Sequence, residues 1–356
     1  MLVFMRAVLC FALAIGTVSA EVNLLQTPHG GIQPQAVVDD TGRIHLVYFK
    51  GPARGGDLFY VHKSANAQFS EPLRVNSKSG SAIAVGTIRG AQIALGKNGR
   101  IHVAWNSANG KEMLYTRLND GAFEPERNVM TWTGGLDGGG SVAADDKGNV
   151  FVVWHGGAPD NKQGEAGRAV FVAKSRDEGK TFAKESRANQ ADTGACGCCG
   201  MKALAAGDRL YLLYRAATKV TGRDMTLLVS DGTERVVSKW NIGSCPMSSA
   251  GLFKARDGVI AAWEMERQIG FSGAAKEDLI TPSGSGKRKH PSLAQSASGT
   301  ILLAWAENAG WEKGGTLAWQ LFKDRKPVGE VQAGDSIPVW SMPAAVAVGE
   351  QFYIIY

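Results

Sequence analysis

Ala195-Cys-Gly-Cys-Cys-Gly-Met201 places three thiols within four residues. Ser244-Cys-Pro-Met247 carries a fourth cysteine further along. Thiols this dense have two chemical uses. They pair as disulfides, or they act as thiolates, with Met201 or Met247, and select a soft ion such as Cu(I) or Zn. Groups able to do acid–base or anion chemistry lie in the same part of the chain or at matching places in other parts of it. They are Arg89, His155, Arg215, Arg223, Asp224, Glu264, Arg288 and His290.

These residues need elements to position them, and a repeat supplies the elements. Seven short apolar runs each end in an aromatic residue, at 48, 105, 154, 214, 263, 305 and 356. The spacings are 57, 49, 60, 49, 42 and 51 residues. A glycine precedes each run, and another apolar run precedes that glycine. A period near fifty built from hairpins predicts a β-propeller of four-stranded antiparallel blades. The hairpin count gives seven blades, with a six-bladed ring and one extra hairpin as the alternative. The last unit stops after its second strand, at Tyr356, and Val22 to Gln26 is expected to supply a missing strand and close the ring. His45 and His102 share one slot in two repeats, as the seven aromatics do, so all are read as packing residues.

In such a blade the first and third turns lie on one face. The loops that enter the innermost strand or leave the second strand lie on the other. The three-thiol segment, the Cys245 segment and the charged residues named above all fall on this second face, where a ligand would approach the axis.

Residues 1–20 are expected to be a secretory leader, with Arg6 before an apolar stretch and Val18-Ser19-Ala20 as the cleavage site. Residues 21–356 then form a single propeller domain, secreted or periplasmic. The formal charge of +6 falls to +5 without Arg6. There is no basic run and no later apolar stretch long enough to span a bilayer, which argues against nucleic acid and membrane as partners. Four cysteines remain in an oxidising compartment, so disulfides are expected. The expected clamp joins Cys198 or Cys199 to Cys245 across neighbouring blades, with Cys196 available for a second bond. No cofactor and no bound metal are expected.

Ser175-Arg-Asp-Glu-Gly-Lys-Thr-Phe182 reads Ser-x-Asp-x-Gly-x-Thr-Phe. In it Asp177 is suited to capping backbone N–H groups, Gly179 to a positive φ, and Phe182 to packing beneath a blade. Ser175 and Thr181 complete the turn. This is the Asp-box, and with it the chain resembles the sialidase superfamily. The order Cys-x-Cys-Cys, Tyr214-Arg215, Arg223-Asp224, Cys-Pro-Met resembles an exported bacterial sialidase-like branch. The resemblance implies a sugar or glycoconjugate ligand with a carboxylate gripped by arginines, here Arg89, Arg215, Arg223 and Arg288. A planar guanidinium suits a carboxylate because it donates two parallel hydrogen bonds. His155 and His290 would join the binding set, and Asp224 and Glu264 would be the acid/base pair. The chain lacks an Arg-Ile-Pro segment in its first blade, and no tyrosine outside the packing slot is placed as a nucleophile. Two readings stay open: a glycosidase acting on an anionic sugar, and a non-catalytic propeller that binds a protein or glycan.

Overall fold

The computed structural model describes residues 21–190, 192–218, 221–273 and 278–356. The leader expected over residues 1–20 lies outside them. The described residues form seven sheets around one axis, six antiparallel and one with a single parallel pair, with three short 3-10 turns and no α-helix. The protein is therefore an all-β, seven-bladed propeller, and the six-bladed alternative is set aside. The innermost strands are Ile32–Val38, Gln92–Leu95, Ser141–Ala144, Lys202–Ala206, Gly251–Ala255, Arg288–Gln295 and Ala344–Val348. Each pairs antiparallel with the next strand in sequence, for example Ser141↔Val153 through Ala144↔Val150.

The repeated aromatics pack between blades. Tyr48, Trp105, Trp154, Tyr214, Trp263 and Trp305 are at most 1% exposed. Each cluster mixes neighbouring blades; Ala94 and Tyr115 of the second blade pack with Val152 and Trp154 of the third. Burying one such ring stabilises the ring of blades by roughly 1.5–3 kcal/mol. His45 and His102 pack beside them, each sharing a hydrogen bond with a tyrosine hydroxyl, Tyr60 at 2.6 Å and Tyr115 at 2.7 Å.

Closure follows from strand direction. A blade's last strand must end on the loop face, because the next innermost strand starts there. Val22–Leu25 does so in the seventh blade, which has no other strand beyond its second. With no third strand between them, it pairs directly and in parallel with Gln351–Ile355, from Val22↔Phe352 to Leu25↔Ile355. Thr27 N–H and hydroxyl both donate to the Tyr356 carbonyl, at 2.7 and 2.8 Å, and lock the junction.

Ser175–Phe182 is a turn on the opposite face, bonded by its own side chains and, at the Glu178, Gly179 and Lys180 carbonyls, by Arg117 and Arg127 of the second blade. Ser175 Oγ donates to Asp177 Oδ1 at 2.7 Å and accepts from Gly179 N–H at 2.9 Å. Thr181 donates to both Asp177 oxygens, at 2.9 Å from its N–H and 2.7 Å from its hydroxyl. Gly179 has φ +78°. Phe182 packs edge-on against Tyr115, with ring centroids 4.8 Å apart.

Candidate functional site

The three-thiol segment enters the fourth blade on the loop face, and residues of three blades hold its backbone. Cys196 N–H donates to the Arg215 carbonyl at 2.9 Å, and Gly197 N–H to Glu165 Oε1 at 2.8 Å. His155 Nε2 meets the Cys199 carbonyl at 3.1 Å, and Gly200 N–H donates to the Ser248 carbonyl at 3.0 Å. Gly138 lies so close that a Cβ there would sit 2.4 Å from the Cys199 carbonyl. The backbone is thus fixed by its neighbours, and the sulfurs are left to one another. Cys196 Sγ is 3.4 Å from Cys198 Sγ and 3.7 Å from Cys199 Sγ. Cys196 and Cys199 are buried; Cys198 is half-buried.

These thiols are free, and so is Cys245. This corrects the expected clamp. The two segments do meet, through Gly200 and Ser248, but Cys245 sits three residues earlier and is exposed to solvent. Nor are Cys196, Cys198 and Cys199 bonded to one another, since a disulfide requires sulfurs about 2.05 Å apart. Burial opposes ionisation of Cys199. Hydrogen bonds from Cys196 and Cys198, the Arg215 guanidinium and the Ser248 backbone outweigh it and hold this thiol well below the ordinary range.

Arg215 and Glu264 are fully buried beside this loop. Arg215 donates to the carbonyls of Arg223 at 2.9 Å and Glu264 at 2.8 Å, and its guanidinium lies 4.9 Å from the Trp240 ring centroid. Glu264 Oε2 has no hydrogen-bond partner and is 3.8 Å from Lys289 Nζ. Burial pushes the Glu264 carboxyl up; Lys289, Ser248 and Arg215 offset this only in part. His290 shares a 3.0 Å hydrogen bond with Ser249 Oγ. Burial, then Lys289, lowers His290 to about 3, and burial likewise lowers His155, so both rings are neutral at pH 7.

The remaining arginines face carboxylates. Arg223 pairs with Glu165 at 2.5 Å, Arg89 with Asp137 at 2.6 Å, and Arg288 with Glu307 at 3.4 Å beneath the Trp305 ring. Arg168 adds a second cation to Asp137 at 3.5 Å. Asp224 accepts the Trp240 N–H at 2.9 Å and so holds a strand junction. The structure therefore brings Cys196, Cys198, Cys199, Arg215, Glu264 and His155 around one loop. It places Arg89 and Arg288 in separate ion pairs and leaves Cys245 apart.

Two further features stand on this axis. Trp311, 51% exposed, packs edge-on against Trp340 with centroids 4.7 Å apart. The two come from the sixth and seventh blades. A Cβ at Gly86, in the loop before the second blade, would lie 3.6 Å from Trp311 and 2.8 Å from Arg89 Nη1, so these loops converge. Below, the innermost strands line a channel of about 1020 Å³. Lys202 is set in its wall and donates to Gln35 Oε1 at 2.7 Å and to Gln92 Oε1. With no carboxylate beside it among the described residues, burial lowers Lys202 to about 8. Sequence reasoning missed Lys202 and Glu165. The first had a local signal, a lysine opening an otherwise Ala/Leu strand; the second had none, because its partners are distant in sequence.

No protein-family model matches this chain, and no curated protein sequence does. Solved structures do. The chain is similar to the Hadza microbial sialidase Hz136 at 14% identity, over 84% of this chain and 67% of that one, with a TM-score of 0.54. It is similar to the Penicillium chrysogenum α-L-arabinanase complexed with arabinobiose at 10% identity, over 84% and 94%, TM-score 0.53. A third is the Aleuria aurantia lectin in complex with Fucα1-6GlcNAc, at 11% identity over 87% and 97%, TM-score 0.51. At these identities the likeness is one of fold, a propeller of the kind that glycosidases and lectins share.

Proposed function

We propose that the loop face of this propeller recognises a carbohydrate, in a protein exported to the periplasm or beyond. The Trp311–Trp340 pair carries the reading. A tryptophan of which half remains exposed, fixed by a second indole and next to Arg89, offers an apolar plate with polar groups at its edge. That combination suits a sugar ring, which has an apolar C–H face and a hydroxyl rim. The sugar ligands named for the arabinanase and the lectin support the reading through a shared scaffold only.

The ion pairs bear on the kind of sugar. Asp137, Glu165 and Glu307 compensate Arg89, Arg223 and Arg288, and Arg215 is occupied by two backbone carbonyls. A carboxylate ligand would have to displace those partners, so hydroxyl recognition is favoured over the arginine grip expected from the sialidase resemblance. One observation keeps hydrolysis as a second reading: Glu264 is a buried carboxyl held up in pKa, the state a general acid needs. Asp224, bonded to Trp240, is not its counterpart.

The test is calorimetric titration of folded protein with a panel of neutral and anionic glycans, beside hydrolysis of the matching fluorogenic glycosides. Binding that Trp311→Ala weakens about tenfold, the worth of ~1.4 kcal/mol of ring contact, supports the reading. No binding across the panel, or binding untouched by Trp311→Ala, sinks it. Turnover lost in Glu264→Gln would establish the hydrolase.

A further inference from the structure

We propose that Cys196, Cys198 and Cys199 form a binding site for a single copper(I) ion. The reading rests on the geometry of the thiol loop and is independent of sugar recognition. Three sulfurs bound in a plane to one ion at ~2.3 Å lie roughly 4.0 Å apart. Here Cys196 Sγ lies 3.4 and 3.7 Å from the other two sulfurs and all three lie within 4.8 Å of one another, so binding requires shifts of about half an ångström. The thiols are not paired off in disulfides.

The loop is also organised before any ion arrives. Hydrogen bonds with the Arg215 and Ser248 carbonyls, the Glu165 carboxylate and the His155 ring fix its backbone atoms and leave its sulfurs out. The side chains that converge are the three sulfurs alone. Such a fixed first shell is what a metal site needs.

The donor set selects the metal. Thiolate-only sites favour soft ions, Cu(I) and Zn among them. Structural zinc takes four protein ligands, and zinc with three takes a water as the fourth. Among the described residues no fourth His, Cys, Asp or Glu ligand atom joins the three thiols. Two of the three cysteines are buried, which leaves little room for the water zinc would add. Three-coordinate copper(I) needs neither. Binding releases the thiol protons to solvent and involves no redox step.

The test titrates the reduced full-length mature protein, without oxygen, with copper(I) buffered by bicinchoninate, and repeats it with zinc against a chromophoric zinc chelator. Expected are one copper(I) per chain withheld from the chelator and an affinity at least 100-fold lower in Cys198→Ser, since even groups behind a ligand change affinity 10–100-fold. Cys245→Ser is expected to bind as the parent does. Copper(I) left with the chelator overturns the proposal, as does retention in Cys198→Ser, or a disulfide among Cys196, Cys198 and Cys199 in intact protein prepared without reductant. Zinc held in preference to copper(I) overturns the choice of metal. If Cys198→Ser fails to melt cooperatively, the parent titration and the disulfide map decide alone.

Discussion

Two short loops of this propeller show what separates structure from chemistry. Ser175–Phe182 and Cys196–Gly200 are both compact, polar and tightly bonded. In the first, the turn's own side chains are spent: Ser175, Asp177 and Thr181 bond its backbone and one another, while Arg117 and Arg127 reach its carbonyls from the second blade. Nothing reactive is left over. In the second, the backbone is held from outside by Arg215, Glu165, His155 and Ser248, and the side chains remain uncommitted. A turn whose side chains are spent on its own backbone stabilises a fold. A turn whose side chains are left over can present them to a ligand.

The comparison breaks most sharply at Gly138. A methyl there would overlap the Cys199 and Gly197 carbonyls, at 2.4 and 2.6 Å, and the His155 ring, at 2.6 Å. The backbone atoms cannot give way without moving the whole loop. Gly138→Ala is expected to cost about 3 kcal/mol and to expose Cys196 and Cys199, seen as a lowered melting temperature and fast reaction of both with a thiol reagent. Slow reaction, matching the parent, would show that the loop does not depend on its neighbours.

The two loops also differed in how legible they were. The repeat of aromatics and the glycine-led hairpins gave the propeller and its blade count because each signal is local to one hairpin. The Ser-x-Asp-x-Gly-x-Thr-Phe turn was legible for the same reason, as the bonds of its Ser, Asp and Thr side chains lie within eight residues. The site was not. Arg89, Arg223 and Arg288 looked available in sequence, but Asp137, Glu165 and Glu307 come from other loops or blades. The clamp to Cys245 was expected from the adjacency of two segments, which is correct, yet the direction of a side chain three residues from the contact is not a sequence property. Val22–Leu25 was placed at the closure, while its parallel pairing followed only from the missing third strand.

Glu185 is likewise a side chain spent on backbone, here across two blades. Its carboxylate accepts from the N–H groups of Thr131, Trp132 and Thr133 and from both threonine hydroxyls. Burial opposes the charge, but these donors outweigh it and lower Glu185 to about 2, against an ordinary 4.5. A depressed carboxyl stabilises the fold fully above its unfolded value and stops doing so as pH falls through its folded value. Glu185→Gln is expected to lose about 2 kcal/mol at pH 7. The gap to the parent should close between pH 4.5 and 2, as read by urea unfolding across that range. A gap unchanged at pH 2.5 would mean that the loss comes from packing rather than charge.

Glu264 is the opposite case and gives the smallest effect. It is buried with one oxygen unpartnered, and its folded value is raised. The native state then holds its proton more tightly than the unfolded chain. Stability therefore falls as pH rises from the ordinary carboxylate value through the raised one, because the buried group must ionise. Glu264→Gln removes that penalty while keeping the shape. It is expected to melt at the same temperature as the parent near pH 4 and slightly higher at pH 8, whereas Glu185→Gln melts lower at pH 8. A variant that melts lower at pH 8 would place Glu264 among the satisfied, structural carboxylates and remove it as a general acid. A variant that melts higher there marks Glu264 as held in an unfavourable state by the fold around it, the condition in which a carboxyl is available for proton transfer.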